Sequence, residues 1–485
     1  MTGARFPHPL TLLVGCILIA AALTYIVPAG EYDRREDPAT GRMVVVPGSF
    51  HPVPANPLGP LAIALSIPKG IAEAVSVIAV IFLGGAAFVV VDRTGALRVA
   101  LMRLVRLLGG RRMLAIPICS AFFAAGGVLE NMQEEIIALV PVLLLLTRRL
   151  GFDNVTAVAM SVGSAAIGAS FSPMNPFQVG IAQQLAEVDL FSGAAFRTAV
   201  LLPAFAVWVL YTMRYASKLA GGPAEAGHYV QPERESGHGG GPAKAGHYVQ
   251  PESESGQTEG DAAADARAAA LGSGRGAVIM GLVVVAFSIF ITGLIRLGWG
   301  FDELSAVLIV MGILAGVIGR LGVNGTADAF VQGFRDMAFA AMLVGVARAI
   351  SVVLTEGRII DSVVNALFTP LAALPAAAAA ISMMLVHNAI HVPVPSVSGQ
   401  AALTMPILVP LSDLLNISRQ VTILAYQYGA GLCELLTPTN GALMAVLAAS
   451  GVRYDQWLKF VLPMWLLLTA IGAAAILIAL AIGLT

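Results

Sequence analysis

Charged residues are scarce in this chain. Asp, Glu, Lys and Arg make up 12% of its 485 residues, against about 25% in an ordinary soluble domain. The few present gather between long apolar runs. With 57% hydrophobic residues and a mean hydropathy of +0.83, a soluble domain is excluded and a polytopic membrane protein is implied. Cysteine is sparse too. Cys16, Cys119 and Cys433 lie far apart, each in an apolar span. That gives no support to a disulfide framework or a cysteine metal cluster and points to buried, inert thiols. Neither sign of charge dominates. The net charge of −1 says nothing about partners, because in membranes the placement of charge matters more than its sum. No nucleic-acid partner is expected.

Placement is informative. Arg5 precedes the apolar run 10–27, which predicts a retained first helix rather than a cleaved signal peptide and a cytoplasmic N-terminus. Residues 28–57 form a polar external loop, 67–74 lie at the interface and 74–91 cross. Arg93, Arg98, Arg103, Arg106, Arg111 and Arg112 then mark the cytoplasmic side. The interrupted segment 113–147 has basic residues at both ends and arms of only ~14 residues, short of the ~20 needed to span. It predicts a hairpin that enters from and returns to the cytoplasm. Residues 154–185 cross outward with a break at 172–176, and 196–211 return.

Residues 221–274 differ in kind. They are rich in Gly, Pro, Glu and Ser, and the stretch from Gly221 to Glu233 recurs almost unchanged from Gly240 to Glu252. A disordered cytoplasmic linker with an inserted duplication is expected. Beyond it, crossings are predicted at 277–295, 305–318 and 337–354, then an interfacial helix at 359–367. A second hairpin follows at 371–411, interrupted at 391–400 and entering from outside. Residues 419–446 run inward with a break at 437–441, and 460–484 make the last crossing. The expectation is an all-α polytopic membrane protein: an inverted-repeat transporter of residues 1–220 and 275–485, with two re-entrant hairpins and two broken transmembrane helices.

The breaks match. Pro141 precedes Pro173 by 32 positions, and Pro406 precedes Pro438 by the same 32; a shift of 265 carries Asn175 onto Asn440. Proline in a helix interior removes a backbone hydrogen bond and clashes with the preceding turn. In hydrocarbon, freed backbone groups persist only where protein or trapped water satisfies them. Helices interrupted at corresponding places in two half-chains point to a transporter's binding site.

Unwound half-helices offer N–H groups to anions and carbonyls to cations. Ser172, Pro173 and Asn175, with Thr437, Pro438, Thr439 and Asn440, are the candidate site at the breaks; Asn131, Ser396 and Ser398 join them from the hairpin tips. Together they could cage Na⁺ and a small polar solute, although any one hydroxyl could serve only to cap freed backbone. Intramembrane charges are functional candidates by default. Glu130, Glu134 and Glu135 cluster at the first tip, and Glu434 stands three residues before Thr437. Arg348 offers a planar fork for a substrate carboxylate or an internal partner for one of these glutamates. His387 and His391 lie at i and i+4, a spacing that suits a metal, but a zinc hydrolase needs Glu directly after the first His and this chain has Asn388. Proton handling or hydrogen bonding is expected there.

Ile26-Val27-Pro28-Ala29-Gly30-Glu31-Tyr32, Val46-Pro47-Gly48-Ser49-Phe50, the run from Asn175 to Gln183, and the Thr437–Asn440 region with Trp457-Leu458-Lys459-Phe460 carry a resemblance. Together they are similar to the YfcC-type branch of the C4-dicarboxylate anaerobic carrier (DcuC) family, over nearly the whole chain outside 221–274. The resemblance implies the ion-transporter superfamily fold, a rigid scaffold that forms a homodimer, and a moving transport unit. By that match Asn131, Ser396, Ser172 to Asn175 and Thr437 to Asn440 carry substrate and ion. The superfamily's Ser-Asn-Thr tip signature is replaced here by Glu130-Asn131-Met132 and Ser396-Val397-Ser398, so Na⁺ and H⁺ both stand as coupling ion. The expected protein is a secondary active transporter, symporter or antiporter, in the bacterial inner membrane. Its substrate would be an amino acid, basic ones included, or a C4-dicarboxylate. It is not expected to be an enzyme or to hold a cofactor. An intramembrane metal-dependent hydrolase and an ion channel are the alternative classes.

Overall fold

The computed structural model describes residues 7–37, 42–97, 99–100, 111–220, 272–297 and 299–484. The linker expected at 221–274 lies outside the described residues except for its last three, which open a helix. The side chain of Glu130 lies outside them as well.

Seventeen helical segments organise the described chain. In the first half they are α1 (Pro9–Ile26), α2 (Pro60–Glu73), α3 (Val75–Arg93), α4 (Ala115–Glu130), α5 (Glu134–Leu150), α6 (Asn154–Ser170), α7 (Ile181–Leu185) and α8 (Ala194–Ala220). In the second half they are α9 (Gly272–Leu297), α10 (Phe301–Ile318), α11 (Gly322–Glu356), α12 (Ile360–Phe368), α13 (Ala376–His391), α14 (Val397–Leu414), α15 (Arg419–Cys433), α16 (Gly441–Ser450) and α17 (Tyr454–Ala481). Among the described residues, seven helical stretches are long and apolar enough to cross a membrane, which makes this a multi-pass chain.

Three expectations change. The polar loop after α1 is not wholly irregular. Gly30–Glu31 pairs antiparallel with His51–Pro52, and Arg34–Asp37 with Arg42–Val45, so the chain is mostly rather than purely helical. This small β layer docks on α12: the Tyr32 N–H and the Arg34 guanidinium both bond Asp361, at 2.9 and 2.8 Å. Burial, with Asp361 beside it, pushes the Tyr32 phenol up to about 12. Second, the crossing placed at 337–354 begins at Gly322 and runs 35 residues, about 52 Å at 1.5 Å per residue. Its first turns carry Asp328, Gln332, Arg335 and Asp336, whose polarity masked a helix that outruns the ~30 Å apolar core. Third, the first arm of the interrupted segment is longer than ~14 residues. A 3₁₀ turn from Arg112 leads into α4, and Arg112–Leu129 is 18 residues of apolar helix.

The breaks fall at Pro173 and Pro438, whereas their matched partners Pro141 and Pro406 stay inside the continuous helices α5 and α14. α6 ends at Ser170, and the chain resumes as a π turn, Pro176–Gly180, that leads into α7. α15 ends at Cys433 and resumes as α16. Asn175 caps the first restart by accepting from Phe177 N and Gln178 N at 2.9 and 3.0 Å, and Asn440 caps the second by accepting from Leu443 N at 3.1 Å. A side-chain amide suits both duties of such a cap, since its oxygen satisfies orphan N–H groups while its nitrogen can donate elsewhere.

Small residues let these elements touch at backbone distance, as membrane helices require. A Cβ on Gly127 of α4 would stand 1.9 Å from the Ala165 carbonyl oxygen of α6, and one on Gly168 2.1 Å from that of Ala124. One on Gly431 of α15 would meet Ser170 Oγ at 2.6 Å and Gln178 Nε2 at 2.7 Å. The two interrupted helices therefore cross beside their breaks. Since Gly127 faces backbone, Gly127→Ala should lower the melting temperature of the purified protein, whereas Gly281→Ala, which meets open space, should not. Equal melting of the two would refute tight packing of α4 on α6.

Candidate functional site

At the first break Ser172 and Asn175 are fully buried and both donate to the last turn of α4. Ser172 Oγ bonds the Val128 carbonyl at 2.8 Å, and Asn175 Nδ2 bonds that of Gly127 at 2.8 Å. Ser172 Oγ also accepts from Asn175 N at 2.8 Å, and Gln427 of α15 donates to the Ser172 carbonyl at 2.8 Å. Pro173 sits buried between them. Unwound backbone is thus met by protein groups from two other helices, as a low-dielectric setting demands.

The second break is held in the same way by different partners. Thr437 and Thr439 share a hydrogen bond of 2.7 Å, and Thr439 Oγ1 donates to the Val392 carbonyl after α13 at 2.6 Å. The freed carbonyls of Leu435 and Leu436 accept from Trp457 Nε1, at 2.9 Å, and from the Tyr454 hydroxyl of α17. Asn440 Nδ2 donates to Gln133 Oε1 at 3.0 Å, and Gln133 Nε2 donates to the buried Glu434 carboxylate. Gln133 closes the turn between α4 and α5. The segment 127–133 therefore bonds to the first break through Gly127 and Val128 and to the second through Gln133.

Around Glu434 lies a second polar group. His391 Nε2 stands 3.9 Å from Glu434 Oε1, while Gln400 bonds His391 Nδ1 at 2.8 Å and His387 Nδ1 at 2.9 Å. One glutamine thus ties both imidazoles of the i, i+4 pair, which is the hydrogen-bonding role expected of them. Glu134 is half-buried in the first turn of α5.

The other expected residues fall less centrally. Asn131 occupies a left-handed turn with φ of 60°, and its Oδ1 is buried without a hydrogen-bond partner. Ser396 caps α14 through Gly399 N at 3.3 Å, and Ser398 is half-buried in the next turn. Among the described hydrogen bonds, neither serine reaches a break. Among the described ion pairs, Arg348 meets neither Glu134 nor Glu434. Its Nε lies 3.3 Å from Glu73 of α2, with the two side chains 41% and 52% exposed; such a pair contributes about 0–1 kcal/mol. Arg348 remains within electrostatic reach of Glu134.

Sequence reasoning missed the buried amides. Gln133, Gln178, Gln183, Gln400, Gln420 and Gln427 are at most 3% exposed, and Gln133, Gln178 and Gln427 tie the broken helices to each other or to the turn after α4. Charge-based searching passes over glutamine, though six in apolar segments are a readable anomaly. It also missed Arg197, fully buried near the start of α8.

The family model described as "C4-dicarboxylate anaerobic carrier" (DcuC) matches residues 6–481. An Escherichia coli protein named "Putative basic amino acid antiporter YfcC" is 31% identical over 490 residues, covering 93% of this chain and 92% of that one. An uncharacterized protein of Haemophilus influenzae is 26% identical over 514 residues, covering 98% and 97%. Among solved structures, the YdaH transporter of Alcanivorax borkumensis aligns over 98% of this chain and 99% of its own, with a TM-score of 0.42 and 18% identity.

The shared hydrogen-bond chain yields a measurable coupling. Gln133→Leu and Asn440→Ala should each destabilise the protein, and together by less than the sum of the two, with a coupling of about 0.5–3 kcal/mol. Strict additivity in thermal or denaturant unfolding would show that the two side chains act independently.

Proposed function

The chain belongs to the C4-dicarboxylate anaerobic carrier family, and from that premise we propose a secondary active transporter of a small carboxylate-bearing metabolite, working by alternating access. The substrate is an amino acid, basic ones included, or a C4-dicarboxylate. Transport is symport or antiport with H⁺ or Na⁺. The observation that carries this reading is the turn 127–133, which bonds to both interrupted helices through Ser172, Asn175 and Gln133–Asn440. Unwound backbone at membrane depth is tolerated where it is buried in protein or lines a cavity, and paired discontinuous helices are the arrangement that presents such backbone to a solute.

In this reading residues 1–220 and 275–485 are inverted repeats, α4–α5 and α13–α14 are the re-entrant hairpins, and 221–274 connects them in the cytoplasm. The protein lies in the bacterial inner membrane with its N-terminus inside and works as a homodimer. Glu130, Asn131, Ser172, Pro173, Asn175, Arg348, Ser396, Ser398, Glu434, Thr437, Pro438, Thr439 and Asn440 line or shape the path. Motion of one hairpin tip exchanges hydrogen bonds at the breaks for bonds to substrate and ion. The buried Glu434, next to His391, is the group that would pair with a substrate ammonium or carry a proton. The name of the Escherichia coli relative, a basic amino acid antiporter, favours the amino-acid version.

Proteoliposomes supplied with labelled arginine, ornithine, succinate and fumarate, with and without Na⁺ and pH gradients, decide the matter. Saturable uptake of one class is expected, and uptake of none of the four would defeat the proposal. Asn175→Ala and Asn440→Ala should each abolish that uptake while leaving membrane insertion intact; normal kinetics in both variants would remove the breaks from the mechanism.

A further inference from the structure

Arg197 is the most deeply buried charge among the described residues. It is fully buried, yet each partner it bonds is neutral. Nε donates to Gln427 Oε1 at 3.1 Å, Nη1 to the Ser192 carbonyl at 2.7 Å and Nη2 to Gln420 Oε1 at 2.9 Å. Among the described residues no carboxylate is in ion-pair contact with it. Burying a charge costs several kcal/mol and is normally repaid by an opposite charge. The three bonds use one donor on each nitrogen, and guanidinium has five, so one N–H on each Nη is unassigned.

Its surroundings contain further open valences. The Tyr428 hydroxyl, buried and without a hydrogen-bond partner, lies within electrostatic reach of the guanidinium. Gln427, which accepts from Arg197 Nε, donates to the Ser172 carbonyl at the first break, and its own carbonyl accepts from Gln178 Nε2 at 3.2 Å. Gln178 Oε1 is also buried without a partner. The guanidinium is therefore one glutamine away from the unwound backbone, in a seam of amides that supplies no negative charge. Arg348 differs: its charge already meets Glu73 in a half-exposed pair.

We propose that Arg197 is the carboxylate receptor of the transport site. In the conformation that admits substrate, its two unassigned N–H groups take the two oxygens of a carboxylate, with the Tyr428 hydroxyl as a further donor. A planar fork with a donor on each Nη matches a carboxylate in a way an ammonium cannot. The missing counter-charge is then supplied by the solute, and the protein recognises an anion because no carboxylate among the described residues competes for the guanidinium. This assignment rests on the transporter reading and adds to it the residue that selects acids.

Binding to the full-length protein in detergent tests it without transport, by thermal unfolding at increasing concentrations of succinate against succinamide and of L-arginine against L-argininamide. The wild type should be stabilised by at least one acid and not by its amide. Arg197→Lys should weaken that acid's apparent affinity roughly ten- to a hundredfold, the range of a hydrogen bond to a charged group. Should the lysine variant misfold, the wild-type comparison of acid with amide still decides. Equal stabilisation by acid and amide, stabilisation by neither, or unchanged affinity in a folded Arg197→Lys protein would each overturn the assignment. Saturable uptake alongside any of those results would leave the transporter reading standing; failure of all four solutes to be transported would strike that reading instead.

Discussion

Backbone hydrogen bonding governs this molecule. A membrane helix satisfies its own N–H and C=O groups, so each interruption creates orphans that no bulk water can serve. Both interruptions here are met by side chains from elsewhere in the fold. Ser172 and Asn175 reach the end of α4, Gln427 reaches the Ser172 carbonyl, and Trp457 and Tyr454 reach the carbonyls of Leu435 and Leu436. The breaks are thereby built into the fold, and their stability depends on partners that belong to different helices. A displacement of the 127–133 turn would have to release bonds at both breaks at once. That shared dependence couples the two sites without a rigid rod between them.

Charge follows the same logic. Ion pairs such as Arg348–Glu73 and Lys69–Glu356 sit where solvent weakens them, and they do little for stability. The interior relies on neutral amides. Gln400 holds two imidazoles, Gln133 joins Asn440 to Glu434, and Gln427 and Gln420 hold Arg197. An amide donates and accepts without a Born penalty, so it can bind charge at depth while remaining free to exchange partners. Around the broken helices, the buried Glu434 and Arg197 are each bonded to glutamine rather than to each other. In the transporter reading this leaves both signs available to a zwitterionic or anionic solute.

The positions of the breaks were legible in the residues. Proline disfavours a helix interior, and the two Pro-Xaa-Asn endings repeat at one offset, so Asn175 and Asn440 emerge as a matched pair from spacing alone; their capping of the two restarts came from the structure. The multi-pass character was equally legible, because long apolar runs with few charges have no other stable setting. The family followed from several short motifs together. Helix limits were less so: the polar first turns of α11 concealed its start, and the two short ladders between α1 and α2 left no clear alternation in so few residues.

What the linear order could not decide is which groups meet. Gln133 and Asn440 are 307 positions apart, Arg197 and Gln427 230, and nothing local records such pairings. Composition and motif spacing determined the membrane class and the places of the two interruptions, since each depends on neighbours along the chain. Only the packing of α4 on α6 and of α15 across the first break decided that one turn serves both interruptions. Packing likewise sent Arg348 to Glu73 and left Arg197 without an acid. Those outcomes depend on close approach between distant helices, which glycine at 127, 168 and 431 permits but does not by itself specify.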